Sequence, residues 1–299
     1  MLRLVSTVLI LLPLVQAFWL SAQPHCATLR RTIILEATAA DADADALKQD
    51  LLNKIRHFRQ VQARDGAVSV DFGVKGGELN ATSRAPQKVD YYAVSTALGQ
   101  AADAVLTCCE ALQACNPTLN ATAYWGDRQQ GTQSPLHGPW KLLFTTAADA
   151  SFSPNSTRGD ARVQNIVHAT RGRIVNQIDF LPRDNDKKPP ALQQFNVILK
   201  ATAASANRVQ LQFRYAKLVF SRLMFLPLRW SLYIPVPATF ITQCIRLWNR
   251  LRGKAKAQAP EAYFDVLYLD PDLRVHQTGE DNWFVQARPT WTNALDLME

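Results

Sequence analysis

A chain of 299 residues, 47% hydrophobic and 19% charged, is long enough to bury a sizeable core and too apolar for a disordered protein. Its net charge of +8 suits an anionic membrane surface or a nucleic acid. The basic residues are dispersed, with no zinc spacing, RNA-recognition signature or basic helix–turn–helix pattern, so a nucleic-acid role is set aside.

The amino terminus reads as an address. Arg3 precedes an apolar run from Leu4 to Val15 and then Gln16-Ala17, the layout of a signal peptide over residues 1–17 and too short for a membrane span. Residues 18–40 hold His25, Arg30, Arg31, several Ser and Thr, and one acid, Glu36, which is the composition of a transit peptide. The Ala17-Phe18 junction resembles the two-part plastid address of algae with secondary plastids, where Phe follows signal cleavage. Three sequons, at Asn80, Asn120 and Asn155, nominally favour ordinary secretion, but the leader outweighs them. No later segment looks able to span a bilayer: the run Trp230 to Ile245 is short of the ~20 residues needed and contains Pro235 and Pro237.

An amino-terminal helical region is expected over 41–130. In 41–63, Leu47, Leu51, Ile55 and Phe58 recur at helical spacing beside Leu52, and Gly66 is a stop signal. Gly73, Gly76, Gly77 and Pro86 mark 67–92 as loop. A second helix is predicted from about Tyr92 to Ala114, with Val94, Leu98, Ala102, Val105, Cys109 and Leu112 on one face, ended by Asn116-Pro117. The five cysteines form no framework: Cys26 falls in the leader, Cys108, Cys109 and Cys115 share this helix, and Cys244 stands apart. They read as thiols in a reducing compartment.

From Gly138 the hydrophobic period becomes two. Val209, Leu211, Phe213 and Tyr215 alternate with Arg208, Gln210, Gln212 and Arg214. Ile174, Asn176, Ile178 and Phe180 form another such set, and Phe195, Val197 and Leu199 a third. Ala204 to Asn207 predicts a hairpin turn. Further strands are expected at Trp140–Thr146, Arg162–Ala169, Lys217–Phe220, Arg229–Ile234, Ala262–Leu269, Leu273–His276 and Asn282–Arg288. Roughly eight to ten short antiparallel strands in about 150 residues suit a closed barrel. One helix is expected among the late strands, over 237–253, with Ile241, Cys244, Ile245, Trp248 and Leu251 on one face and Arg246, Arg250 and Arg252 crowding the other.

These residues resemble the plastid lipid-associated protein (fibrillin) family. Gly138-Pro139-Trp140-Lys141-Leu142-Leu143-Phe144-Thr145-Thr146 resembles its first barrel strand, and Gln164-Asn165-Ile166-Val167 with Arg173-Ile174-Val175-Asn176 its second and third. Tyr268-Leu269-Asp270-Pro271-Asp272-Leu273-Arg274-Val275 matches its Y-L-D-x-x-L-R-[IV] signature, followed by Asn282-Trp283-Phe284-Val285. The resemblance covers about 138–288 and extends more weakly over 71–117. It implies a mainly β fold: a lipocalin-like antiparallel β-barrel preceded by an α-helical region. It also implies non-catalytic binding of carotenoid, prenylquinone or acyl lipid at a thylakoid or plastoglobule surface. A plastid scaffold or lipid-particle coat with a filled barrel is the alternative, since a barrel of this size holds one apolar ligand or fills itself.

Six aromatics are candidates to line the barrel: Phe144, Phe180, Phe213, Tyr215, Tyr268 and Trp283. By resemblance, Trp140 closes one end of the barrel against Arg288 or Arg274. Arg246, Trp248, Arg250 and Arg252 are candidates for a membrane-surface contact. No catalytic, metal or cofactor site is expected: the five histidines are scattered, no H-E-x-x-H or G-x-S-x-G occurs, and Asp270-Pro271-Asp272 reads as a turn. In a fluorescent fusion of residues 1–40, Phe18→Ala is expected to preserve entry into the secretory pathway and to block plastid import. Unchanged plastid fluorescence in an alga with secondary plastids would refute the two-part address.

Overall fold

The structure, a computed structural model, describes residues 23–66 (side chains from Asp43 on), 88–147, 161–182, 190–222, 228–235 and 262–298. The chain divides into two compact units, residues 1–49 and 50–299. A helix, α1 (Gln23–Asp65), starts inside the segment read as leader and runs across that division. In the first unit Lys48 pairs with Asp45 at 2.9 Å, one helical turn away.

In the second unit, Leu51, Leu52, Ile55, Phe58 and Val61 of α1 are all buried, the face expected from their spacing. Gly66 ends the helix in the left-handed region (φ +104°) with its N–H on the Gln62 carbonyl at 3.0 Å. The next helix, α2 (Thr96–Ala114), begins four residues later than its hydrophobic pattern predicts. The cause is local chemistry. Asp90 Oδ1 accepts from the N–H groups of Tyr92 and Ala93 and makes a turn there, and Ser95 caps α2 by accepting from Leu98 N at 3.0 Å. Cys108 and Cys109 are buried on α2, Cys115 is half-buried, and all three thiols are free.

Among the described residues nine strands follow, each within a few residues of a predicted one: β1 (Gly138–Thr145), β2 (Ala161–His168), β3 (Arg173–Phe180), β4 (Leu192–Ala203), β5 (Arg208–Phe220), β6 (Trp230–Pro235), β7 (Ala262–Leu269), β8 (Leu273–Thr278) and β9 (Trp283–Ala287). Every pairing is antiparallel. β1 pairs with both β2 and β9, and β5 with both β4 and β7, so eight strands close into a barrel in the order β1-β2-β3-β4-β5-β7-β8-β9. Closure leaves those eight without the unpaired edge of an open sheet. The expected strand at Lys217–Phe220 is the second half of β5. That half leaves β7 and pairs instead with β6, which branches off the barrel. A short helix, α3 (Leu295–Met298), ends the described chain. The helix expected over 237–253 lies outside the described residues.

The two ends of the barrel differ. The β2–β3, β4–β5 and β7–β8 connections at one end are tight, spanning 169–172, 204–207 and 270–272. The hairpin predicted at Ala204–Asn207 is there, with Ala204 N on Arg208 O at 2.9 Å. Residues 116–137 pack over the same end. Thr118 donates to Leu269 O at 2.5 Å, Thr122 Oγ1 to Ser205 O at 2.8 Å, and Trp125 Nε1 to Ala201 O at 3.1 Å. The strand ends that flank 146–160, 181–191 and 221–229 lie at the opposite end, while β6 runs back from that end to Pro235, opposite Tyr215 partway along β5.

Directly paired residues share a face of a sheet, and one extra residue in a strand moves all that follow to the other face. Four such bulges occur among the described residues, one of them at Gln193 in β4. Leu143 is extra in β1, Arg214 in β5 and Leu267 in β7. As a result Phe144, Val285, Val275 and Tyr268 form one cross-strand row, on the outer face. Helix α1 covers it. The Phe58 ring meets Tyr91 at 5.0 Å and Phe144 at 5.1 Å, both edge-on, and Tyr91 donates its hydroxyl to Thr145 O at 2.6 Å. Phe58→Ala removes the ring shared by these contacts and is expected to cost ~3–5 kcal/mol in urea denaturation. Leu119→Ala, at a side chain 86% exposed, should stay within about 0.5 kcal/mol of the parent.

Candidate functional site

The closed end is plugged by Trp140, which is fully buried among Leu136, Val167, Ile174, Leu199, Val209 and Leu269. Its indole Nε1 donates to Leu136 O at 2.9 Å, which satisfies the one polar atom on the ring. Two guanidinium groups lie against it, Arg288 at 3.7 Å from the ring centroid and Arg274 at 5.0 Å. Both arginines anticipated as partners of Trp140 are therefore brought to it.

Arg288 also donates to the carbonyls of His137 (2.7 Å), Pro135 (3.0 Å) and Pro271 (3.3 Å) and so fastens the segment before β1 to the β7–β8 turn. Burial lowers its pKa to about 10. Gly138 makes the approach possible. Its φ is +105°, and a Cβ there would sit 2.8 Å from Arg288 Nη1. The Asp270-Pro271-Asp272 segment is a turn, as expected: Asp270 Oδ1 accepts from the N–H groups of Asp272 and Leu273, each at 2.7 Å, and Tyr268 donates its hydroxyl to Oδ2.

Arg274 points into the barrel. Leu142, Gln286, Arg274 and Leu269 form one cross-strand row, and Trp140 shares their face two residues before Leu142. The Arg274 side chain is fully buried. Its Nε and Nη2 donate to Gln286 Oε1, and Nη2 also reaches Asn165 Oδ1 at 2.7 Å. Asn165 donates in turn to Asn176 Oδ1 at 2.6 Å. Burial first, and then the charge of Arg288, push the Arg274 pKa well down. Two residues along β8 on the same face, His276 is buried between rings, parallel to Phe284 at 4.9 Å and tilted against Phe264 at 4.8 Å.

The inner face is not uniformly packed. Next to the plug, Ile174 and Leu199 are buried, yet Asn176, on the same face of β3, is exposed and Val197, its partner on β4, is half-buried. Phe213, paired with Leu199 and so also inward, is 46% exposed. Water thus reaches the inside of the β3–β5 sector.

Of the six proposed lining residues, Phe180 (buried) and Phe213 belong to this inner set. The other four are corrected: Phe144, Tyr215, Tyr268 and Trp283 lie on the outer face. Bulges put Phe144, Tyr215 and Tyr268 there, and Trp283 follows the parity of outward Val285. Inner residues that sequence reasoning missed are Asn165, Gln286 and His276. Asn176 did carry a signal, a lone amide inside the apolar set Ile174, Ile178, Phe180. Arg246, Trp248, Arg250 and Arg252 lie outside the described residues. Among the described residues no group of three His, Cys, Asp or Glu is placed to hold a metal ion, and no helix is long and apolar enough to cross a membrane.

The fold holds His276 neutral. Burial first, then the Arg274 charge, lower its pKa well below the ordinary 6.5, and burial also lowers that of half-buried His168. The unfolded chain takes up these protons as pH falls through about 6.5 while the folded chain does not, so stability is level above that pH and declines below it. The melting temperature should therefore fall progressively between about pH 6.5 and pH 5. His276→Gln should flatten that decline, leaving the smaller His168 contribution. An equal decline in parent and variant would contradict the assignment.

Comparison with curated proteins and with solved structures returned no match. The sequence model of the PAP_fibrillin family matches residues 95–287, from the cap of α2 through the last strand of the barrel. With well over half of its length matched, and with the Gly138–Trp140 and Tyr268–Arg274 motifs built into one plugged barrel end, this chain belongs to the plastid lipid-associated PAP/fibrillin family.

Proposed function

We propose that this chain is a non-catalytic carrier of a hydrophobic plastid lipid or isoprenoid, a carotenoid, prenylquinone or acyl lipid, held in the barrel. The observation that carries this reading is the water-accessible inner face of β3–β5. A barrel filled by its own side chains would bury an inward phenylalanine, whereas Phe213 is 46% exposed beside exposed Asn176. The tight turns, Trp140 and the 116–137 segment occupy the other end, so a ligand enters from the side of the long connections. A thylakoid or plastoglobule surface is the proposed site of exchange, and the leader over 1–40 supports import into the plastid of an alga with secondary plastids.

One observation favours the coat reading instead. β6 stands off the barrel with Leu232 (41%), Tyr233 (57%) and Ile234 (44%) exposed, an apolar strand fit to touch a lipid surface. The basic and aromatic set Arg246, Trp248, Arg250 and Arg252 follows it in the chain and is proposed as part of that contact. The readings separate in one titration. Delipidated protein should quench on addition of a prenylquinone, and Phe213→Glu should weaken this at least tenfold while the melting temperature moves by no more than about 2–4 °C. Unchanged quinone affinity in Phe213→Glu, with liposome flotation intact, would favour the coat.

A further inference from the structure

We propose that the barrel selects a ligand with a carboxylate head group, a long-chain fatty acid in the simplest case, and that Arg274 receives that head. The inference rests on the carrier reading above and names the class of ligand that the same interior would take.

Arg274 carries the argument. It is a cation with no exposed surface, and its acceptors, Gln286 and Asn165, are neutral amides. No carboxylate among the described residues pairs with it. The charge that acts on it is another cation, Arg288. A buried charge is ordinarily paired, because desolvation without a counter-ion is among the most expensive arrangements in a protein interior. The Trp140 and Phe264 rings, with centroids 5.0 and 5.9 Å from the guanidinium carbon, offset only part of that cost.

Two buried donors on the inner face are left without partners. Arg274 Nη1 has no hydrogen-bond partner, and neither does His276 Nδ1, two residues along β8 on the same inward face. These are two of the three buried side-chain nitrogen or oxygen atoms left unpaired among the described residues, and both belong to the inner set. A carboxylate accepts from both, one oxygen on each nitrogen, with the imidazole neutral and its proton on Nδ1. Around them stand Phe264 and Phe284, which suit an acyl chain rather than water. The hydrogen-bonded track from Arg274 through Asn165 to exposed Asn176 links the buried cation to the water-accessible sector, the side from which an acid would approach. A phosphate head would bring more oxygens and more charge than these two donors can satisfy.

The test compares an acid with its own ester on delipidated full-length protein by isothermal titration. Oleate should bind about tenfold or more tightly than methyl oleate, the difference made by one charge-assisted pair. Arg274→Gln should remove the difference by weakening oleate alone, and His276→Phe should reduce it. If Arg274→Gln does not fold, the acid–ester comparison on the unmodified chain, repeated with a prenylquinone, still decides. Equal affinity for oleate and methyl oleate would overturn the proposal and leave the carrier reading standing. Binding of none of the three ligands would overturn both.

Discussion

Trp140 lies against two guanidinium groups at once, and the rest of the barrel end is arranged around that contact. Arg288 reaches the ring at 3.7 Å, close against Gly138, and its donors hold four backbone carbonyls on two separate segments. Arg274 approaches from within the barrel. Two cations this close repel, and the electron-rich indole face that both lie against offsets part of that cost. The plug is thus a physical device for holding a positive charge inside a hydrophobic barrel, as well as a stopper.

The two faces of the sheet serve different purposes. Outside, the row Phe144, Val285, Val275, Tyr268 is covered by α1 through Phe58 and by Tyr91, a second core that ties the helical region to the strands. Inside, apolar packing is dense near Trp140 and gives way to amides and water-accessible surface across β3, β4 and β5. On the proposed carrier reading, such an interior would offer an amphiphile both apolar walls and a fixed polar terminus.

The closing motif gains a role for four of its letters. Tyr268 and Asp270 lock the turn through a hydroxyl–carboxylate bond, and Asp270 also caps it. Leu273 is buried at the start of β8, and Arg274 is delivered inward by the next residue. The same eight residues therefore make a turn and place a charge. The family resemblance over this stretch is a resemblance of mechanism in that limited sense.

Much was legible in the sequence, because helices and strands announce themselves by local period. The α1 face, the alternating strands, the Ala204–Asn207 hairpin and the Asp270 turn all depend on neighbours within a few residues, whereas the pairing of Trp140 with its arginines was legible only through the family resemblance. What could not be read was which way four of six aromatics point. Three of them turn on the single extra residues Leu143, Arg214 and Leu267, and a bulge is decided by the strand across from it, not by the strand that carries it. The orphaned donors of Arg274 and His276 belong to the same class of fact. Residues two apart on β8 always share a face, but only the closed barrel removed their water and left them without partners.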